Sequence, residues 1–175
     1  MKSSKSLIVI VLTVLMGCQQ SASLQSYFVS HQETPGFLQV DIPISVLITD
    51  QLQLSDNVKD AWNSVRRLNI LAYIKKDDLS QMKKEFETVE GILNTDQYEQ
   101  LMQMKSDEFK TSIYIKGSDD DLKEMILVLG YQQEGFLVAR LLGDDMTLQK
   151  AGIISNSLNQ VNFNEKALSQ FEGFL

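Results

Sequence analysis

One stretch decides the predicted fold, FKTSIYIKGSDDDLKEMILVLGYQQEGFLVARLL, at residues 109–142. Apolar and polar side chains alternate over 109–116, a pattern that is typical of a half-buried strand. A polar turn follows, and then two apolar runs at 125–131 and 136–142. Because the residues between these runs include Gly135, we predict a hairpin. The stretch therefore predicts three consecutive strands that pair as an antiparallel meander.

The first ordered segment contains a period-two pattern that Pro43 interrupts. Apolar residues occupy every second position from 40 to 48, which favours a strand. Proline cannot donate to a sheet ladder, so either an edge strand continues through Pro43 or a strand ends near Ile42 and a helix begins. We favour the second interpretation, because the apolar residues after Pro43 also fit one face of a helix.

Other segments predict further helices and one more strand. Ser55 is the expected N-cap of a helix that has Arg66 and Arg67 in its last turn. The next strand, 68–74, carries apolar residues on both faces, which indicates a central position in the sheet. A helix is predicted over 77–93, with Asp77 and Asp78 at its start. A shorter helix is predicted over 95–102, with Thr95 as its cap and with Tyr98, Leu101 and Met102 on it. Two further helices are predicted over 148–158 and over 164–173, and Leu168 and Phe171 are expected to pack in the second of these.

This order of elements predicts the fold class. Helices grouped beside largely antiparallel strands indicate an α+β fold, a two-layer sandwich with a sheet of about four to five strands and helices on one face. We expect a single α+β domain over residues 36–175, because the sequence contains no internal repeat and no low-complexity tract.

Composition limits the chemistry that the protein can perform. Lys and Arg number 16 against 23 Asp and Glu, a net charge of −7, so no basic stripe for nucleic acid is expected. One Cys excludes an internal disulfide and a Cys-based zinc site, and His31 has no second imidazole for a triad. No glycine-rich nucleotide-binding motif occurs. We therefore predict no catalytic residue, no cofactor and no metal, and that the protein is not an enzyme.

Three acidic clusters have simple structural interpretations. Asp119, Asp120 and Asp121 fit either a calcium or magnesium site or a solvated turn, and their spacing does not match an EF-hand loop, which favours the turn. Asp77-Asp78 and Asp144-Asp145 are expected at helix starts, where acids favour the dipole. A hydrolase that uses only carboxylates is a third hypothesis, and it needs two acids that face each other across one cleft, a geometry that spacing in the sequence does not determine.

Methionines and the single tryptophan allow a binding or a packing interpretation. Met82, Met102, Met104 and Met125 fit an adaptable binding surface, but their helical or strand spacing favours core filling. Trp62 is likewise expected to anchor the core.

The first eighteen residues have the pattern of an export signal. Lys2 and Lys5 precede an apolar run over 7–16 that is too short to span a bilayer and fits a signal-peptide h-region. The following Leu-Met-Gly-Cys, at 15–18, resembles the lipobox of bacterial lipoproteins. That resemblance implies a lipoprotein signal peptide over residues 1–17 and lipidation of Cys18, and several lipid chains hold a protein stably in a membrane.

Residues 18–35 are predicted to be a tether, lipidated by the same resemblance, and the one apolar pair among residues 19–34, Tyr27-Phe28, leaves open a short docked segment. Their polar composition agrees with a tether, in which we expect His31 to be solvated. Gln19 rather than Asp follows the cysteine, which implies the outer membrane, and residues 20–23 contain no acid, which implies a periplasm-facing orientation.

Beyond the lipobox, the chain resembles a family of small lipoproteins of unknown function from bacteroidete-type Gram-negative bacteria. The matching segments are 68–74, Tyr98-x-x-Leu101-Met102, 123–128 and 141–148. These are core and turn residues, so the resemblance implies a shared fold and no particular reaction. It also implies a link to envelope sensing, because genes of the family often lie near those for sigma-type transcription regulators.

These observations lead to two expectations for function. The first is a non-catalytic, lipid-anchored envelope protein that binds another envelope protein or takes part in envelope stress signalling. The alternative is a carrier or sensor of a small apolar ligand in the periplasm. A carrier needs an enclosed pocket of roughly 300 Å³ or more, whereas a protein-binding domain needs an exposed apolar patch.

Overall fold

A single antiparallel sheet organises the chain. The computed structural model describes residues 23–48, 53–74, 78–131 and 135–157. The elements in chain order are α1 (Leu24–His31), β1 (Phe37–Pro43), α2 (Ile44–Leu47), α3 (Asp56–Asn63), β2 (Val65–Tyr73), α4 (Leu79–Leu93), β3 (Glu99–Lys105), β4 (Phe109–Ser118), β5 (Asp121–Tyr131), β6 (Gly135–Met146) and α5 (Leu148–Ser157).

The sheet has six strands in the order β1-β2-β6-β5-β4-β3, and every neighbouring pair is antiparallel. The predicted meander is confirmed, since β4, β5 and β6 lie side by side. Strand β2 lies between β1 and β6, which confirms that it is not an edge. The α+β class and the antiparallel sheet are therefore confirmed, but the predicted number of strands is too low. The missing strand is β3, because residues 95–102 were predicted as a helix.

Helices cover both faces of the sheet, so the predicted two-layer sandwich with helices on one face is wrong. Helices α2, α3 and α5 enclose one core, which includes Trp62, Leu68 and Ile70. Helices α1 and α4 enclose a second core, which includes Leu71 and Tyr73. The physical reason lies in β2, where successive apolar side chains point to opposite faces and both sets are buried.

The region around Pro43 follows the favoured interpretation. Strand β1 ends at Pro43, whose extended backbone (φ −60°, ψ 133°) places it as the N-cap of the short helix α2. Ser55 occupies the N-cap position of α3, as predicted, but its side chain makes no capping hydrogen bond. The prediction for Arg66 and Arg67 is wrong, because α3 ends at Asn63 and both arginines lie in β2.

Helix α1 lies in the region that was predicted to be a tether. Ser23 caps this helix, with its side chain accepting a hydrogen bond from the N–H of Ser26 at 3.1 Å. Leu24, Tyr27 and Phe28 are buried in the core that α1 shares with α4. Within residues 18–35, α1 therefore forms the docked segment that the sequence leaves open around Tyr27-Phe28, and the folded body begins before residue 36.

Of the two acidic pairs that were expected at helix starts, one lies elsewhere in the structure. Asp78 caps α4, accepting from the N–H of Gln81 at 3.0 Å. Asp144 and Asp145 lie within β6 rather than at the start of a helix, and Asp145 has a positive φ of 64°. Signal peptide 1–17, Cys18, Asp77 and the helix predicted over 164–173 lie outside the described residues.

Candidate functional site

Among the strands that the structure describes, β3 lies at an open edge of the sheet. It pairs with β4 on one side, and all seven of its residues, Glu99–Lys105, are exposed. The register shifts between Gln100 and Met102, which leaves Leu101 in a β-bulge. An edge strand presents backbone N–H and C=O groups on its free side, and these can pair with a strand from another chain. The edge is therefore chemically able to bind a peptide segment.

Three exposed apolar side chains lie on one face of this edge. Met102 pairs with Ile113 and Met104 with Thr111, and Phe109 lies two residues before Thr111 on β4. Because paired residues share a face, as do alternate residues of a strand, Met102, Met104 and Phe109 lie on the same face. Their exposed fractions are 39%, 49% and 39%. We call these three residues the β3–β4 patch.

The β3–β4 patch lies on the face that α2, α3 and α5 cover elsewhere. Ile113, next to Met102, packs against the core beneath those helices. Within the described residues, the three helices make their main contacts with β1, β2 and β5. The helical layer thus stops before it reaches β3. The patch is an apolar continuation of the core without a described helix above it.

The opposite face of β3 is polar. Gln103 Nε2 donates a hydrogen bond to Ser112 Oγ across the strand pair, at 3.5 Å. Lys105 lies opposite Lys110, and the ammonium of Lys110 forms an ion pair with Glu90 of α4. That ion pair neutralises one of two adjacent positive charges. The edge is therefore amphipathic, with methionines on one face and amide and ammonium groups on the other.

A cluster of polar groups holds α1 against α4. The Tyr27 hydroxyl donates to Oε2 of Glu85 at 2.8 Å, and Gln81 Nε2 donates to Oε1 at 2.7 Å. His31 Nε2 lies 3.4 Å from Glu85 Oε2, and the imidazole packs on the rings of Tyr27 and Phe37. The prediction of a solvated His31 is wrong, because residues 24–31 fold as a helix and only 17% of its side chain is exposed.

The Tyr27 hydroxyl is kept in its protonated form. Burial raises the pKa of Tyr27 above its ordinary value of 10.0, and the hydrogen bond and negative charge of Glu85 raise it further. Burial also raises the pKa of Tyr98 and of Tyr114. These three phenols are poor general bases at neutral pH. The cluster around Glu85 is suited to fixing α1 in place.

A buried ion pair lies beneath the first turn of α1. Arg140 Nε donates to Glu124 Oε2 at 2.6 Å, and the two residues are 5% and 8% exposed. The Arg140 guanidinium also donates to Gln25 of α1, and Lys116 Nζ lies 3.9 Å from Glu124 Oε1. Buried charges require such partners. This pair attaches α1 to the middle of the sheet.

The acidic turn is solvated, as predicted. Asp119, Asp120 and Asp121 are exposed at the connection between β4 and β5, and Asp121 pairs with Lys123 at 2.6 Å. In the part of the chain that the structure describes, no three His, Cys, Asp or Glu side chains are grouped so as to hold a metal ion.

The four methionines that were predicted to fill the core divide into two pairs. Met82 and Met125 are buried, as predicted, but Met102 and Met104 are exposed on β3. The prediction is wrong for the second pair because the spacing of Tyr98, Leu101 and Met102 favours a helix, whereas residues 99–105 form β3. The alternation of methionine with Gln103 and Lys105 was the signal that would have indicated a strand with one apolar face.

The predicted lipidation site, Cys18, lies outside the described residues and stays a prediction. Among the helices that the structure describes, none has the length and apolar character needed to cross a bilayer.

Comparisons with known proteins locate the chain in a family. No curated protein and no solved structure matches it. A family model described as a domain of unknown function, DUF4252, matches residues 27–153 of the 175. The match begins within α1 and ends within α5, so it takes in all six strands. This chain therefore belongs to the DUF4252 family of domains of unknown function.

Proposed function

We propose that this protein is a non-catalytic, lipid-anchored envelope domain that binds another envelope protein through the β3–β4 patch. The observation that carries the proposal is strand β3, which pairs on one side only within the described sheet and has Met102, Met104 and Phe109 exposed on one face. Natural proteins protect free sheet edges with charges, short strands or covering elements. Exposed apolar groups that cluster at such an edge mark a surface for a partner. Envelope stress signalling is one process that this binding would serve.

The edge favours a particular mode of recognition. A partner segment in an extended conformation adds a strand beside β3, so that main-chain hydrogen bonds supply affinity and alternate side chains supply specificity. Apolar side chains of the partner then contact Met102 and Met104. On the other face, Lys105 favours an acidic residue on the partner, because the neighbouring Lys110 is already paired with Glu90.

The proposed anchor is Cys18, behind a signal peptide over residues 1–17. Helix α1 begins at Leu24, so only residues 19–23 separate the anchor from the folded body. An extended chain of that length spans less than about 20 Å. The body is therefore held close to the periplasmic face of the outer membrane, and a partner at the same membrane is the expected ligand.

Cross-linking in native membranes tests the proposed function. The substitution pair Met102→Lys and Met104→Lys places two charges in the β3–β4 patch, and mass spectrometry identifies the cross-linked partners. The matched control is Gln100→Lys with Gln103→Lys, which adds the same charge to the polar face of the same strand. We expect the patch variant to lose a partner that the control keeps. A partner retained by both variants, or lost by both, contradicts binding through this patch.

A further inference from the structure

The methionines of the folded body differ sharply in their exposure to solvent. Met102 and Met104 are 39% and 49% exposed, and both belong to the β3–β4 patch. Met82, Met125 and Met146 are only 6%, 8% and 0% exposed. In the part of the chain that the structure describes, the exposed thioether groups are therefore those of the proposed binding surface.

Exposure decides which of these thioethers a small oxidant in water can reach. Hydrogen peroxide converts methionine to its sulfoxide when it has access to the sulfur atom. Met82, Met125 and Met146 lie within the two cores, where close packing excludes the oxidant. The oxidisable indole of Trp62 is also fully buried. An oxidant is therefore expected to react with the two methionines of β3 and to spare the cores.

Oxidation changes the chemical character of the β3–β4 patch. Met102 and Met104 are alternate residues on one face of β3, with Cα atoms about 7 Å apart, so a partner on the patch contacts both. The sulfoxide is polar, whereas the thioether is apolar. An S=O group that is buried against apolar side chains of the partner loses its hydrogen bonds to water. Each sulfoxide therefore weakens the contact on which the proposed function depends.

The fold itself tolerates the same change. Met102 and Met104 pair with β4 through their backbone groups, and their side chains are exposed. In the free protein a sulfoxide oxygen on either residue stays in water, so it loses no hydrogen bonds. Oxidation can thus alter the binding surface while both cores remain intact.

We propose that Met102 and Met104 form a reversible oxidation site, at which hydrogen peroxide switches off partner binding to the β3–β4 patch. This inference rests on the proposed function, which supplies the partner, and it adds a form of regulation to the same surface. Within the described residues, these two side chains combine exposure, an oxidisable sulfur atom and a place on that surface.

The oxidation step is balanced by the peroxide alone. The sulfur atom attacks one peroxide oxygen, an S–O bond forms and the O–O bond breaks. The departing hydroxide takes the proton of the transferred oxygen and leaves as water. The sulfur loses two electrons and the peroxide gains them. A methionine sulfoxide reductase reverses the step with two electrons from a dithiol, which yields water and a disulfide.

Mass spectrometry tests the selectivity of oxidation. The full chain, isolated in detergent and free of partners, is treated with dilute hydrogen peroxide, and sulfoxide formation is followed at five methionines. We expect Met102 and Met104 to oxidise at least several-fold faster than Met82, Met125 and Met146. Equal rates for the two groups would overturn the oxidation site and leave the proposed function standing, because binding to the patch does not require oxidation.

Binding after oxidation tests the switch. The oxidised chain, freed of peroxide, is mixed with detergent-solubilised membranes and cross-linked to the partner that requires the patch. We expect oxidation to lower the yield of that cross-link about tenfold or more. Methionine sulfoxide reductases for both sulfoxide epimers, with dithiothreitol, are expected to restore it.

A leucine variant is the matched control for the site of oxidation. Met102→Leu with Met104→Leu retains apolar side chains of similar volume that peroxide does not oxidise. The measured quantity is the cross-link yield after peroxide relative to the same variant's yield before it. We expect this relative yield to fall in the unsubstituted chain and to stay constant in the leucine variant.

Two binding results would overturn the switch alone. A cross-link that survives oxidation of both methionines shows that sulfoxides do not disturb binding, and an equal loss in the leucine variant shows that peroxide acts elsewhere on the chain. Both results leave the proposed function in place, since the untreated chain still binds. If no partner of the untreated chain distinguishes Met102→Lys with Met104→Lys from its control, the proposed function fails and the switch fails with it.

Discussion

Trp62 joins α3 to α5 in the core that these helices share with α2. Its side chain is 0% exposed, and its Nε1 donates to Ser157 Oγ at 3.0 Å. Trp62→Ala is expected to lower the free energy of unfolding by about 3–5 kcal/mol, because it removes the ring and leaves a cavity. Trp62→Phe keeps most of the packing and is expected to cost less. Urea denaturation measures both, and a change of less than about 1 kcal/mol for the alanine variant would contradict a core role.

Tyr27 makes the stability of the protein sensitive to alkaline pH. Its pKa is raised in the folded state, so its contribution is fully present below pH 10.0, the ordinary value, and is lost as the pH rises further, because the unfolded chain then releases the proton first. Tyr27→Phe is expected to cost about 1–3 kcal/mol at pH 7, through the lost hydrogen bond to Glu85. Denaturation between pH 7 and pH 11 is the measurement.

The steepness with which the free energy of unfolding falls with pH, compared between the two proteins, separates the effect of Tyr27 from that of the other tyrosines. Tyr98 and Tyr114 also have raised pKa values and remain in both proteins. The free energy of the Tyr27→Phe variant should therefore fall less steeply above pH 10 than that of the unsubstituted chain. Parallel curves would show that the Tyr27 hydroxyl is not the source of the alkaline loss.

Helix α1 is a structural part of the domain, and its removal should be costly. Phe28 is 2% exposed in the core shared with α4. Phe28→Ala is expected to lower the free energy of unfolding by about 3–5 kcal/mol, while the exposed Val29→Ala serves as a control from the same helix and should change little. Equal, small effects from the two variants would restore the interpretation of this region as a tether.

Helix α4 contains a glycine that no packing requirement explains. A Cβ atom at Gly91 would meet nothing within 4 Å, so Gly91→Ala is expected to stabilise the protein by about 0.5–1 kcal/mol. Gly143→Ala is the contrasting variant, because its Cβ would lie 2.2 Å from the Leu122 carbonyl oxygen and would have to displace backbone. Thermal denaturation should give melting temperatures that move in opposite directions, and a loss of stability in the Gly91 variant would contradict the open space there.

Sequence patterns correctly predicted those helices and strands whose structure depends mainly on their own residues and little on long-range contacts. The alternation at 109–116 and the capped apolar face of α4 were sufficient to place β4 and α4. Strand β3 could not be found in this way, because Tyr98, Leu101 and Met102 also have helical spacing and pairing with β4 overrides that preference. Leu24, Tyr27 and Phe28 have the spacing of a helix, but the polar residues around them favour a tether with no more than a short docked segment at Tyr27-Phe28.

The sequence pattern does not determine how many layers of helices cover the sheet. Apolar residues on both faces of β2 indicate a central strand, but they do not show which helices cover each face. Which helix covers which face depends on long-range packing, such as the contact of Tyr27 with Glu85. The candidate binding edge was missed for the same reason, since exposure of β3 follows from where the helical layer ends.

The membrane attachment can be tested on the intact chain. Cys18→Ser removes the thiol that the proposed lipid chains require, and those chains supply the free energy that holds the protein at the membrane. We expect the variant to fold normally, because the described body begins after residue 22, and to appear in the soluble fraction. Fractionation at high salt is the measurement, with Ser21→Ala as control. Continued sedimentation of the Cys18→Ser variant with membranes would contradict a lipid anchor.

The order of the strands also controls the route by which the chain folds. Strands β3 to β6 are neighbours both along the chain and in the sheet, so each pairing closes only a short loop. Strand β2 pairs with β6 from the other side, joining Val65 to Gly143, and this contact closes a much longer loop at a higher entropic cost. The four-strand meander is therefore expected to form the folding nucleus, with β1 and β2 docking afterwards. Substitutions in β4 and β5 should slow folding, whereas those in β1 should mainly accelerate unfolding.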